Sequence, residues 1–194
     1  MHERGHENWV THVKALLCDC GFGLVWLYGG VVDEKSFLRE FKDRLRANFG
    51  QRWFAHLQES ARFGVYHSFK NCIGREPYLD TIRVSIYRTA LARFRMGVSP
   101  FNAHKYFFAH HDSSRICPFC PDKIENEVHV VAECTVYESI RERYVSLDMQ
   151  GNLQDQINSL LMTEDETKMV SLAKFLYLAW RSRIARLQLE RDEG

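Results

Sequence analysis

Four residues constrain this chain more than anything else in it: Cys117, Cys120, His129 and Cys134, spaced C-x2-C-x8-H-x4-C within residues 115–137. Three thiols and one imidazole make a complete tetrahedral donor set for Zn(II), which prefers sulfur and nitrogen and closes its structural sites at four ligands. Cys117-Pro-Phe-Cys120 is a loop short enough to put two thiolates on one ion. The alternative is a set of free buried cysteines with one surface histidine. A shell of three sulfurs and one nitrogen leaves no open position for water, so the expectation is one Zn(II) with a structural role.

The residues between the ligands predict how they converge. Asp122-x-x-Glu125 reads as a capping box, opening a short helix near Lys123 that carries His129. Thr135-x-x-Glu138 reads as a second capping box, opening another helix just after Cys134. His129 and Cys134 are five residues apart, which on one unbroken helix turns them about 140° from each other. A break at Cys134, supplied by Thr135 as the cap, lets both face one ion.

Length and composition set the frame for this motif. The chain has 194 residues, 45% of them hydrophobic and 13% aromatic, enough for a substantial core. A net charge of +1 gives no global pull toward nucleic acid or membrane. The start, Met-His-Glu-Arg-Gly-His-Glu, lacks an apolar run behind a basic region, and Gly21 to Val32 is too short to span a bilayer. The expectation is an intracellular protein, in cytoplasm or nucleus, neither secreted nor membrane-bound. Cys18, Cys20 and Cys72 are then read as small buried hydrophobes.

Apolar periodicity predicts a mostly α protein, a helical bundle-like domain with a small CCHC zinc knuckle between helices. Residues 8–20 read as an amphipathic helix ended by Gly21-Phe-Gly23, and residues 24–32 as a loop. Asp33 is the expected N-cap of a helix burying Phe37, Leu38, Phe41, Leu45 and Phe49, with a stop or kink at Gly50 and helical pattern resuming to about Ser60. Glu76-Pro77 opens a helix predicted to run to Met96 with Ile82, Ile86, Ala90 and Phe94 in register. Ser99-Pro100 begins a loop into the metal motif. Helices are expected over 136–147, 153–162 and from Thr163-x-x-Glu166 to Leu189, the last with Val170, Ala173, Leu176, Trp180, Ile184 and Leu187 on its inner side. The organisation reads as an N-terminal helical segment (1–76), an Arg-rich helix and basic loop (77–114), the zinc knuckle (115–137) and C-terminal helices (138–194).

Charge segregates around the motif. From Arg83 to Arg115 stand Arg83, Arg88, Arg93, Arg95, Lys105 and Arg115 against Asp112 alone, with His104, His110 and His111 among them. From Ile116 onward the balance turns acidic. Tyr106, Phe107, Phe108 and Phe119 interleave with the cations, and basic residues with aromatics suit a surface that tracks phosphates and stacks on bases. The candidate nucleic-acid residues are therefore Arg88, Arg93, Arg95, Lys105 and Arg115; a solvated helix face with core aromatics is the plainer alternative. His110 and His111 are the rivals to His129 as ligands. No nucleophile–histidine–acid signature, Walker loop or acidic metal cluster is legible, so no catalytic residue is assigned.

The run from Tyr78-Leu79 through Arg88-Thr-Ala-Leu-Ala-Arg93-Phe-Arg95, then Cys117-Pro-Phe-Cys120, Glu125-Asn-Glu-Val-His129 and Cys134, with Tyr137 and Arg141 after it, resembles the C-terminal region of non-LTR (LINE-type) retrotransposon reverse transcriptases. Val170 to Trp180 is similar to the family's closing helix. The resemblance implies a region downstream of the polymerase palm, with Cys117, Cys120, His129 and Cys134 as metal ligands and RNA or DNA as partner. It also implies an upstream polymerase region as a partner in a larger element. Palm and endonuclease signatures are absent from this sequence, so the expectation is a non-catalytic accessory region. The eight-residue gap is longer than in the compact retroviral knuckle, and Thr135 stands where the family often has proline. The alternative function is a zinc-stabilised helical protein-interaction module with its partner surface on the last helix.

Overall fold

The structure, a computed structural model, describes residues 8–60, 63–70, 72–107, 114–148 and 150–192. It is mostly α, and among these residues the only β-type pairing is one isolated antiparallel bridge between Ile116 and Ile124. No helix in them is long and apolar enough to cross a membrane. Internal contacts divide the chain into two units, 1–56 and 57–194.

In the first unit, helix α1 (Trp9–Asp19) starts where Asn8 Oδ1 accepts the Thr11 amide at 3.1 Å. It stops at Gly21, whose φ of +80° is open to glycine at little cost. The stretch expected as a loop instead forms a short helix, α2 (Gly23–Tyr28), closed by left-handed Gly29. Helix α3 (Glu34–Glu59) is capped as expected by Asp33, whose Oδ1 accepts the amides of Lys35 and Ser36 at 3.0 and 3.2 Å. It runs through Gly50 without a break. One interior glycine costs about 1 kcal/mol, less than losing the hydrogen bonds on either side would. The expected buried stripe of α3 is only partly covered: Phe37, Phe41 and Leu45 are half-buried, while Leu38 and Phe49 are exposed. Phe22 sits edge-on to Phe37 and Phe41, at 5.3 and 5.9 Å between ring centroids. An 11-residue helix and a six-residue helix cannot cover 26 residues of α3. Within this unit only Leu17 and Cys20 are buried among the described residues.

The second unit holds the core. Helix α4 (Gly64–Phe69) is followed by a break in what reads as one helix from Pro77. The chain forms α5 (Tyr78–Thr81), turns extended at Ile82 and Val84, and resumes as α6 (Ser85–Arg95). The turn takes Ile82 into the core at 1% exposure and leaves Ile86, expected inside, on the surface. Arg88 Nη1 donates to the freed carbonyls of Ile82 (3.1 Å) and Leu79 (3.4 Å), so a charged cap replaces the lost helical bonds. Gly97 ends α6 with φ +63°, as expected. A short helix α7 (Asn102–Lys105) stands in the predicted loop.

After the metal motif come a 3-10 turn (Thr135–Tyr137), α8 (Glu138–Tyr144), α9 (Leu153–Met162) and α10 (Glu166–Asp192). Asp165, not Thr163, caps α10, accepting the amides of Thr167 and Lys168 at 2.9 and 3.0 Å. The buried face of α10 is Met169, Leu172, Ala173, Phe175, Leu176, Ala179 and Arg183. Of the expected line it keeps Ala173 and Leu176, while Val170, Trp180 and Leu187 are half-buried and Ile184 is exposed. Periodicity reading excludes arginine from an apolar stripe, and here an arginine is its last inward residue. The α10 face packs with Leu91, Phe94, Phe101, Val130, Val131, Tyr137, Ile157 and Leu161 into one core.

Candidate metal centre

The ligand-bearing segment begins as a tight hairpin. Cys117 N donates to Lys123 O at 2.7 Å, Glu125 N to Arg115 O at 2.9 Å, and the Ile116–Ile124 bridge lies between. Asp122 takes φ +65° at the turn, a conformation aspartate tolerates better than most residues. The expected helix near Lys123 does not form. Helical winding starts later, where Asn126 Oδ1 accepts the His129 amide at 2.9 Å. Residues His129–Glu133 then wind as a π-helix, closed by Cys134 N donating to His129 O at 2.7 Å, an i to i+5 bond. Wider winding brings the fifth residue round toward the first. The expected break is present too: Cys134 is extended, at φ −61° and ψ 122°, but the cap position is Cys134 itself, with no side-chain cap from Thr135.

These turns bring the four residues together. One donor atom from each of Cys117, Cys120, His129 and Cys134 lies within 4.8 Å of all the others, and the group could hold a metal ion. Cys117, His129 and Cys134 are buried and Cys120 is half-buried. The histidine tests the fit. Its Nδ1 lies 3.4 Å from Glu133 Oε2, while its buried Nε2 has no hydrogen-bond partner. An unpaired buried ring nitrogen costs about 1–3 kcal/mol unless a cation takes its lone pair. A carboxylate on the other nitrogen is the arrangement that orients metal-binding histidines. The sulfurs are prepared in the same way. A hydrogen bond from the Cys134 thiol brings the Cys117 pKa down to about 5 against its burial, helped by the Phe119 amide, the His129 ring and the Cys120 amide. The same shared proton, with burial, pushes Cys134 up. Thiolate-rich, nitrogen-completed shells suit borderline-soft cations over magnesium or calcium. His110 and His111, the rival ligands, lie outside the described residues, as does Phe108.

Charged side chains tie this segment to the core. Glu125, fully buried, receives Arg183 Nε and Nη2 at 2.8 and 3.1 Å and the Asn102 amide at 2.6 Å. Arg183 Nη2 also reaches Asn102 Oδ1 at 2.8 Å, and Asn102 Nδ2 donates to Ile116 O at 2.6 Å. One network therefore joins the hairpin, α7 and α10. Arg141 donates to Val131 O (2.8 Å) and Cys134 O (2.6 Å), satisfying carbonyls where the π-helix ends. His104 lies between Ser99 Oγ (2.5 Å from Nδ1) and Glu127 Oε1 (2.7 Å from Nε2). Burial is the strongest single influence on Glu127 and pushes it upward, but the His104 hydrogen bond and charge, a backbone hydrogen bond and the charge of Arg115 together hold the carboxyl below its usual range. This hydroxyl–imidazole–carboxylate chain has the composition of a catalytic triad. Ser99 is itself buried, and the cavity it lines measures about 10 Å³, room for one water and no substrate.

The predicted nucleic-acid residues separate into two groups. Arg93, Lys105 and Arg115 are exposed; Arg93 lies over the Trp180 ring at 5.9 Å and Arg115 over Tyr106 at 5.3 Å. Partial burial, then the charge of Arg183, lowers the Lys105 pKa. Arg95 is buried, 2.7 Å from Glu76 Oε2 and 5.1 Å over the Tyr78 ring, and Glu76 also pairs with Lys70. Arg88 is half-buried in its capping role. Phe119 packs against the core, whereas Phe107 is exposed. Sequence reading missed Glu125–Arg183, the His104 relay and the Trp180 stack. Only the odd arginine at an inward position of α10 signalled any of them. No family model matches the chain, and no curated protein or solved structure matches it.

Proposed function

We propose that the chain is a non-catalytic nucleic-acid-binding module ordered by one structural Zn(II), of the kind found downstream of the palm in the non-LTR reverse transcriptases it resembles. One observation carries the reading. Of the described carboxylates from Glu76 to Glu133, Glu76, Glu125 and Glu127 are taken up inside the fold by Arg95, Arg183 and His104, and the exposed Asp80 and Glu133 pair with Arg75 and Lys123, which leaves Asp122, while Arg83, Arg93, Lys105 and Arg115 stay exposed. A chain of near-zero net charge thereby keeps exposed cations along residues 83–115, the segment that leads into the metal hairpin. Cys117, Cys120, His129 and Cys134 would hold the zinc; a closed shell supplies folding energy and no reactive water. Cations on that segment would meet phosphates.

Electrophoretic mobility shifts with a labelled RNA and a DNA of mixed sequence, repeated across a salt series, test the binding. Affinity should fall steeply with salt, and an Arg93→Ala/Arg115→Ala double variant should lower the log–log slope by about 1.4–1.8. No binding at low salt ends the reading. A second reading, a zinc-stabilised protein-interaction module, is favoured by the exposed Trp9, Leu24, Leu27, Tyr28 and Val32 in residues 1–56. It calls for a dimer or a bound protein on size exclusion and no response to nucleic acid.

A further inference from the structure

The exposed arginines of that segment are not isolated charges. Two of the three lie on aromatic faces, Arg93 on Trp180 and Arg115 on Tyr106, and Phe107 stands edge-on to Tyr106 with ring centroids 5.7 Å apart at 80°. Pro100 and Phe101 line the same small cavity as Arg93 and Trp180, and the four-residue helix α7 leads from there to Tyr106. At about 1.5 Å of rise per residue, α7 carries the chain on the order of 10 Å from Phe101, at that cavity, to Tyr106. A strand with bases stacked at about 3.4 Å covers that distance in roughly three nucleotides. Lys105, exposed, precedes Tyr106 in the chain.

Such a surface discriminates between nucleic-acid forms. A duplex turns base edges to its partner and keeps base faces inside its own stack, so aromatic rings gain nothing from it. An unpaired strand can lay its bases on aromatic rings and on the flat guanidinium groups above them. We infer that the partner is single-stranded nucleic acid, held across two platforms, Trp180 with Arg93 and Tyr106 with Arg115, and that the aromatic rings set this preference while the cations set the salt dependence. This rests on the nucleic-acid reading above and adds the form of the strand.

Fluorescence anisotropy of the zinc-loaded full chain tests it, using a labelled 12-nucleotide strand without self-complementarity and the blunt duplex of the same sequence. The single strand should bind at least tenfold tighter than the duplex at equal salt. Trp180→Leu and Tyr106→Leu should each weaken single-strand binding roughly 5- to 100-fold, leave the salt slope unchanged and move duplex binding less than twofold. Trp180 is half-buried, so Trp180→Phe, which keeps a ring, should retain most of the affinity and guards against a folding defect in the leucine variant. Equal affinity for both forms would overturn the inference while leaving the nucleic-acid reading intact, and so would leucine variants that bind the strand normally. Binding of neither form would remove both.

Discussion

Replacing Arg183 by methionine probes the link between the metal hairpin and the core. The side chain ends inside the protein at 4% exposure, and its partner Glu125 has none. Removing the guanidinium strips Glu125 of contacts at 2.8 and 3.1 Å and leaves Asn102 Oδ1 without its 2.8 Å donor. The carboxylate keeps only the Asn102 amide, at 2.6 Å, among the partners just described. Leaving one member of a buried pair uncompensated costs about 3–5 kcal/mol. In a unit of this size that corresponds to a fall in melting temperature of about 10–15 °C. The double change Glu125→Leu/Arg183→Met removes both charges together, and much of the loss should return because buried pairs pay heavily for desolvation. Thermal and urea denaturation of the zinc-loaded single, single and double variants measures the coupling. A loss below about 1 kcal/mol for Arg183→Met, or a double variant no better than the sum of the singles, would refute the view that this pair clamps the hairpin to α10.

Arg141→Ala should cost about 1.5–3 kcal/mol and speed metal release to a chelator, because the carbonyls of Val131 and Cys134 lose a charged donor; denaturation and a colorimetric chelator assay read both effects. Arg93→Ala should lower the salt slope of nucleic-acid binding by about 0.7–0.9 and cost no more than about 0.5–1 kcal/mol through loss of its stack on Trp180, whereas Arg95→Ala should destabilise by about 2 kcal/mol through loss of its bond to Glu76. In metal-free protein at pH 7, iodoacetamide should modify Cys117 ahead of Cys134, since the first is pulled down to about 5 and the second pushed up. The same shifts give the metal-free fold a stability contribution that grows from pH 5 toward 9, where only the unfolded Cys117 keeps its proton. The contribution declines above pH 9, where only the unfolded Cys134 loses its proton; pH-dependent denaturation with chelator present follows it.

The parts of the molecule legible in the sequence are those fixed by neighbours in sequence. Asp33 and Gly97 mark helix ends because caps and left-handed turns are local events. The convergence of Cys117, Cys120, His129 and Cys134 was readable because their types and spacing suggest one shared ion before any geometry is known. What sequence could not give depends on distant partners. Glu125 looked like the end of a capping box until Arg183, 58 residues away, claimed its carboxylate. Arg95 looked like surface until Glu76 buried it. His104 looked like part of a basic loop until Ser99 and Glu127 enclosed it. The break at Ile82–Val84 follows from core packing that helical periodicity does not encode. The π-winding after Val128 has no strong sequence marker; the five-residue gap between His129 and Cys134 posed the geometric problem that it helps solve.

The central claim is that Cys117, Cys120, His129 and Cys134 close around one structural zinc, and X-ray absorption at the zinc edge of protein purified without chelators tests it most directly. The account predicts one zinc per chain with three sulfurs at about 2.3 Å and one nitrogen at about 2.0–2.1 Å, a shell without water. A shell containing a water oxygen or fewer than three sulfurs, or protein that carries well below one zinc per chain, would contradict it.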